Sequence, residues 1–297
     1  MSLIESALEK MRRSGQTAER RVAQGEPRPG QPAAAPVLLQ PAPVQLSPPS
    51  RRITLDLEAL RTAGYLPDAA RAHVLADQYR QIKRRLIENA TANPGASQMR
   101  LLQVTSALQG DGKTFTAINL ALSLARERDT SVLLIDADVR NPTTSRIFGI
   151  ERERGLLDAL CDPMADVGSL ILHTSVPGLD VLPAGTAADH AAELIASARM
   201  AQVAAQICSN PRYIVLFDSA PILLSADSPA LAALVGQVVL VARAGKTLQH
   251  ALLDAISRFD DGKLSGIVLN DNKADPGRYH YGYGSYGTQD RDGGTPG

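Results

Sequence analysis

The chain has 297 residues, and its 31 Lys+Arg against 31 Asp+Glu give a formal net charge of zero. That balance excludes a generally basic nucleic-acid binder and an acidic solvating protein, while 44% hydrophobic and 21% charged residues place the chain in the globular class. Eight of the 19 prolines fall between Pro27 and Pro49, and four of the seven tyrosines between Tyr279 and Tyr286, so both ends differ from the middle. The expected organisation is a short amphipathic helix with a disordered Pro-rich linker over 1–50, one domain over 51–274, and a flexible Tyr/Gly-rich tail over 275–297.

At the N-terminus, Ser2 and Glu5 have capping-box spacing, and Leu3, Ile4, Ala7, Leu8 and Met11 would share one helical face. This segment reads either as a docking helix for a partner or a membrane surface, or as a frayed terminus. Acids inside its apolar stretch argue against a secretory signal, so a cytoplasmic location is expected. Residues 25–50 form a Pro/Ala/Gln linker, extended because proline fixes φ and donates no backbone hydrogen bond.

A helical pattern follows over 69–89, with Val74, Leu75, Ile82, Leu86 and Ile87 apolar among charged residues. Short apolar strands are predicted at 101–105, 132–136, 180–183, 214–218, 238–242 and 266–270, with helical segments between several of them. Most of these runs are apolar throughout rather than alternating, the pattern of strands covered on both faces. The predicted fold is therefore α/β, a doubly wound and mainly parallel sheet, with its ligand site at the carboxyl ends of the strands. The apolar stretch 230–244, broken by Gly236 and Gln237, is too short for a membrane span and reads as a helix end followed by a buried strand. Cys161 and Cys208 lie far apart without a CxxC, which predicts buried structural thiols rather than a disulfide or zinc site.

Three motifs fall at predicted strand ends. After the first strand, Gly110-Asp111-Gly112-Lys113-Thr114-Phe115 opens a helix. The glycines let backbone N–H groups converge on phosphate, Lys113 would reach the β/γ-phosphates, and Thr114 offers a hydroxyl to Mg²⁺. The general phosphate-loop pattern wants glycine where Ala107 stands. Next, 132–140 is an apolar strand ending Asp136-Ala137-Asp138-Val139-Arg140, whose two acids are suited to orienting metal-bound water or accepting a hydroxyl proton. Finally, 214–221 is an apolar strand ending in Asp218 with Pro221 three residues on, where Asp218 suits a Walker B carboxylate.

Together these motifs resemble the bacterial tyrosine kinases, P-loop NTPases of the MinD/ParA-like class, and most closely the tyrosine autokinases of exopolysaccharide gene clusters. The resemblance implies Asp-x-Asp-x-Arg as Walker A′ and Asp-x-x-Pro as Walker B. It implies ATP and Mg²⁺ as cofactors, Lys113 on the phosphates, Thr114, Asp136 and Asp218 around the metal, and Asp136 or Asp138 as general base, with Arg140 matching the motif. Gln109 stands where the family usually has proline. Asn270 is similar to an asparagine that faces the nucleotide base in related ATPases, and equally suits a strand-end turn.

The tail places Tyr279, Tyr281, Tyr283 and Tyr286 among glycines, a spacing that cannot bury the rings in a regular element. Read by composition it would stack on single-stranded nucleic acid, but it lacks dense arginine and no basic domain supports it. It resembles the C-terminal tyrosine cluster that these kinases phosphorylate on a neighbouring subunit. Asp77, Arg80 and Lys83 are similar to the family's Glu-x-x-Arg-x-x-Arg helix, which builds a homo-oligomeric ring; a solvated charged face is the other reading. The implied function is an ATP-dependent, non-specific protein-tyrosine autokinase regulating exopolysaccharide biosynthesis or export. Its implied partners are a membrane polysaccharide co-polymerase as activator and a cognate tyrosine phosphatase, with recruitment to the inner face of the membrane. The alternatives are a MinD/ParA-like ATPase switch, disfavoured by Leu108 where those ATPases usually carry lysine, and a weakly catalytic regulatory subunit of polysaccharide assembly.

Overall fold

The computed structural model describes residues 51–92 and 95–272. The expected N-terminal helix, the linker and the tyrosine tail lie outside the described residues. Eight strands form one sheet: β1 Arg51–Ile53, β2 Leu101–Ser106, β3 Ser131–Ala137, β4 Leu172–Thr174, β5 Leu179–Leu182, β6 Tyr213–Ser219, β7 Gln237–Arg243 and β8 Leu264–Asn270. Their order is β1-β4-β5-β3-β6-β2-β7-β8, and every neighbouring pair is parallel except β4 with β5. The mainly parallel, doubly wound sheet expected from the sequence is thus the fold. All six predicted strands are present, and the two that went unread, β1 and β4, have three residues each.

In chain order the described helices are α1 Leu57–Thr62, α2 Ala72–Ala92, α3 Lys113–Leu124, α4 Thr143–Ile147, α5 Leu156–Cys161, α6 Val167–Leu170, α7 Ala191–Ile195, α8 Ala198–Cys208, α9 Asp227–Leu234 and α10 Gln249–Ile256. They cover both faces of the sheet. Leu102 and Val104 of β2, Leu134 of β3 and Leu216 of β6 point to one face and join Ile118, Leu120 and Leu124 of α3 and Leu86 of α2. Leu101, Leu133, Ile135, Val215 and Phe217 point to the other and join α5, α8 and α9. Alternation with burial on both sides explains why runs such as Val132–Ile135 of β3, Ile214–Phe217 of β6 and Val238–Ala242 of β7 are apolar throughout.

Two buried polar side chains of β2 tie the sheet to the segment that follows β6. Gln103 of β2, fully buried, donates from Nε2 to Ser219 Oγ at 2.8 Å, Ser228 Oγ at 2.9 Å and Ser228 O at 3.1 Å. Thr105 Oγ1 donates to Ala220 O at 2.8 Å. These bonds fasten the segment after β6 and the start of α9 to β2, next to the strand ends that carry the motifs.

The cysteine expectation is corrected. Both thiols are free, but Cys161 is exposed and Cys208 only half-buried. Each is the last residue of its helix, α5 and α8, where the chain leaves the protected face.

Candidate active site

Between β2 and α3 the chain turns tightly through two left-handed glycines, Gly110 at φ 86° and Gly112 at φ 97°. Gly112 is the N-cap of α3 and supplies no side-chain cap, so the first N–H groups of the helix face outward, free to meet an anion. The loop is braced by its own residues and by β7 and β8. Asp111 accepts from Leu108 N at 3.0 Å and from Thr247 Oγ1 at 2.7 Å. Asn270 Nδ2 donates to Asp111 O at 3.0 Å, and Arg243, paired with Asp271 at 3.0 Å, reaches Gly110 O at 3.4 Å. Asp111 therefore turns one carboxylate oxygen onto the loop itself and the other onto Thr247, in the segment after β7. Asn270 likewise meets the loop backbone. Ala107 is fully buried, so the position where the general pattern prefers glycine is a packed core position.

Lys113, first residue of α3, places Nζ 2.9 Å from Asp138 Oδ2. Burial alone would lower its pKa, but Asp218, Asp138 and Asp136 outweigh that cost and hold it above the usual lysine value. Asp136 on β3 and Asp218 on β6 are register partners in adjacent strands, and both are fully buried. Burial pushes both carboxyls upward; repulsion from Asp218 adds to this for Asp136, whereas Lys113 and the hydroxyls of Thr144 and Thr114 oppose it for Asp218.

Each of these two acids has one oxygen satisfied and one bare. Ser145 donates to Asp136 Oδ2 from its backbone N and its Oγ, each at 2.7 Å, and Thr144 Oγ1 donates to Asp218 Oδ2 at 2.7 Å. Asp136 Oδ1 and Asp218 Oδ1 are buried without a hydrogen-bond partner. Bare carboxylate oxygens on adjacent strands, beside a lysine and a helix N-terminus, suit a hard cation accompanying phosphate. Among the described residues no group of three or more His, Cys, Asp or Glu forms a metal cage. Thr144 and Ser145, which aim the two acids, carry little signal in the sequence beyond the run of three hydroxyl residues, Thr143-Thr144-Ser145, just past Asn141-Pro142.

The structure therefore gathers Gly110, Gly112, Lys113, Thr114, Asp136, Asp138 and Asp218 at one end of the sheet. Phe115 is half-buried on the first turn of α3, and Arg140 is exposed, with Nη2 3.7 Å from Asp227 Oδ1.

The candidate interface residues on α2 separate. Asp77 and Arg80 are exposed and paired with each other. Lys83 turns inward, its ammonium 2.9 Å from Ser123 O near the end of α3 and 2.6 Å from Glu127, which withdraws it from the surface expected to meet another subunit. Lys83→Met should accordingly lower the stability of the isolated chain by about 1–2 kcal/mol in denaturant unfolding. An intersubunit role would leave that value unchanged and alter only assembly.

Comparison with known proteins places this geometry. The AAA domain family model matches residues 99–258. The tyrosine-protein kinase YwqD of Bacillus subtilis is 35% identical over 217 residues, covering 72% of this chain and 87% of the relative. A putative tyrosine-protein kinase, EpsB of Ralstonia solanacearum, is 35% identical over 187 residues, and there the match spans only 24% of the relative's length. The solved kinase domain of the Escherichia coli tyrosine kinase ETK is 28% identical with a TM-score of 0.52, covering 62% of this chain and 72% of that one.

Proposed function

The chain belongs to the bacterial tyrosine-protein kinases of the P-loop class, and from that membership we propose that it transfers the γ-phosphoryl group of ATP to Tyr279, Tyr281, Tyr283 and Tyr286 of a neighbouring copy. The observation that carries this reading is the pairing of Asp136 and Asp218, each with one bare buried oxygen, beside Lys113 at the uncapped head of α3.

In this reading the backbone N–H groups at Gly110, Gly112 and the first turn of α3 bind the phosphates, and Lys113 moves from Asp138 onto them. Thr114, Asp136 and Asp218 are the residues that would hold Mg²⁺, which when bound with ATP neutralises developing phosphate charge. Asp136 is committed through Oδ2 to Ser145, whereas Asp138 loses its ion pair once Lys113 leaves. Asp138 is thus the group we assign to accept the tyrosine hydroxyl proton as the phenolic oxygen attacks phosphorus and ADP departs.

From Asn270 to Tyr281 is 11 residues, about 36–40 Å when extended, a reach that supports transfer between copies. Asp77 and Arg80, exposed on α2, remain the proposed contact between copies. No helix among the described residues is long and apolar enough to cross a membrane. We assign activation and membrane recruitment to the cytoplasmic tail of a polysaccharide co-polymerase, dephosphorylation to a tyrosine phosphatase, and the regulated process to exopolysaccharide export.

The test is incubation of the purified full chain with Mg-ATP, with and without such an activator tail, followed by phosphotyrosine mapping. Replacing all four tail tyrosines by Phe should remove at least about nine-tenths of the label, while affinity for a fluorescent ATP analogue stays within about twofold. Label concentrated elsewhere would defeat the assignment of the tail as substrate.

A further inference from the structure

Asp227, the first residue of α9, is 2% exposed, and neither of its carboxylate oxygens has a hydrogen-bond partner. Its ion pair is with Arg140, whose Nη2 lies 3.7 Å from Oδ1 and whose side chain is 60% exposed. Burying a carboxylate without hydrogen bonds is costly, and the N-terminus of an eight-residue helix offsets only part of that cost. A core position filled for packing alone would carry an apolar side chain here.

The two partners belong to different strand ends. Arg140 follows β3 in the turn that carries Asp138, closed by Asn141 N donating to Asp138 O at 2.9 Å. Asp227 follows β6 and the Walker B carboxylate, and its neighbour Ser228 is fixed to β2 through Gln103 and Thr105. A rigidly seated acid therefore faces the one basic side chain of a short turn whose other charged residue, Asp138, holds Lys113.

We propose that Asp227 is a positioning residue for phosphoryl transfer, its buried carboxylate latching Arg140 and so fixing the turn that presents Asp138. The inference rests on the kinase reading of the site and goes beyond it by adding a residue outside the three motifs. Arg140 thereby gains a definite role, its guanidinium serving as the handle by which α9 aligns the Walker A′ turn with β6.

The experiment uses the full chain and a double-mutant cycle of Asp227→Asn and Arg140→Met, with Asp227→Glu as the conservative variant. Two quantities are read: amide hydrogen exchange of a peptide covering residues 137–142 without nucleotide, and the autophosphorylation rate across Mg-ATP concentrations. Asp227→Asn should speed exchange in the turn and lower the maximal rate about tenfold, with KM for ATP within about twofold. Asp227→Glu should recover part of both. In the Arg140→Met background, Asp227→Asn should add nothing to either effect.

The latch is overturned if Asp227→Asn leaves exchange of the turn unchanged, or if its effects multiply with those of Arg140→Met. A wild-type protein that forms no phosphotyrosine would sink the kinase reading, and the exchange cycle would still decide whether Asp227 holds the turn. Should Asp227→Asn not fold, Asp227→Glu against Arg140→Met supplies the same comparison.

Discussion

Lys113→Met should reduce phosphotyrosine formation by at least about a thousandfold at saturating Mg-ATP, the scale expected when a preorganised cation on a transferring phosphoryl group is removed. The reason lies in its surroundings. The Nζ sits 2.9 Å from Asp138, and the charges of Asp218 and Asp136 hold it protonated despite burial. Methionine keeps the stem and its contacts while leaving three acids without their shared cation, so Asp218, already pushed upward by burial, loses the largest influence opposing that rise. Lys113→Arg should rescue little, because a planar guanidinium cannot occupy the compact point-charge position at the helix head. The check is the initial rate of tail labelling, with circular dichroism confirming that each variant is folded. A loss smaller than about tenfold would remove Lys113 from the centre of the mechanism.

How much of this was legible in the sequence follows from what each feature needs to be seen. Strands β3, β6 and β7 announce themselves because both faces are covered, leaving runs such as Val132-Leu133-Leu134-Ile135 with nothing polar inside. Strands β1 and β4 hold three residues each, too few to show a period, and exist because the growing sheet offers them an edge. The three motifs were readable because their chemistry is local: a glycine pair before a helix, and acids just past a strand. What aims those acids is not local. Thr144 bonds Asp218 from 74 positions away in the chain, and Asp227 gains meaning only once α9 is folded beside the β3 turn.

Lys83 makes the same point in reverse. Its spacing from Arg80 looks like one continuous charged face, yet two helical positions three apart are offset by about 60°, enough to set one against a neighbouring element and the other at the exposed edge. Arg80 stays outside, while Lys83 reaches the carbonyl of Ser123 and the carboxylate of Glu127. Charge pattern alone could not separate an assembly surface from a clasp between α2 and the phosphate-loop helix. The clasp joins the helix proposed to meet a neighbour to the far end of the helix that opens the active site.

Gly112→Ala should lower nucleotide affinity by about a hundredfold. Two costs coincide at this position. At φ 97° the backbone disfavours any L side chain, a strain of about 1–2 kcal/mol. The added Cβ would also stand 1.9 Å from Asn270 Nδ2 and 3.0 Å from its Cγ, so Asn270 must give up its bond to Asp111 O and release the loop from β8. The neighbouring glycine separates the two costs. Gly110 has φ 86°, and nothing lies within 4 Å of a Cβ placed there, so Gly110→Ala should carry the conformational cost alone and lose only about tenfold. Gly112→Ala combined with Asn270→Ala removes the collision but not the strain or the missing brace, and should fall between the two. Titration with a fluorescent ATP analogue, alongside thermal unfolding, measures the order. Equal losses for Gly110→Ala and Gly112→Ala would mean that the close approach of Asn270 does not shape the loop, and that left-handed backbone alone explains both glycines.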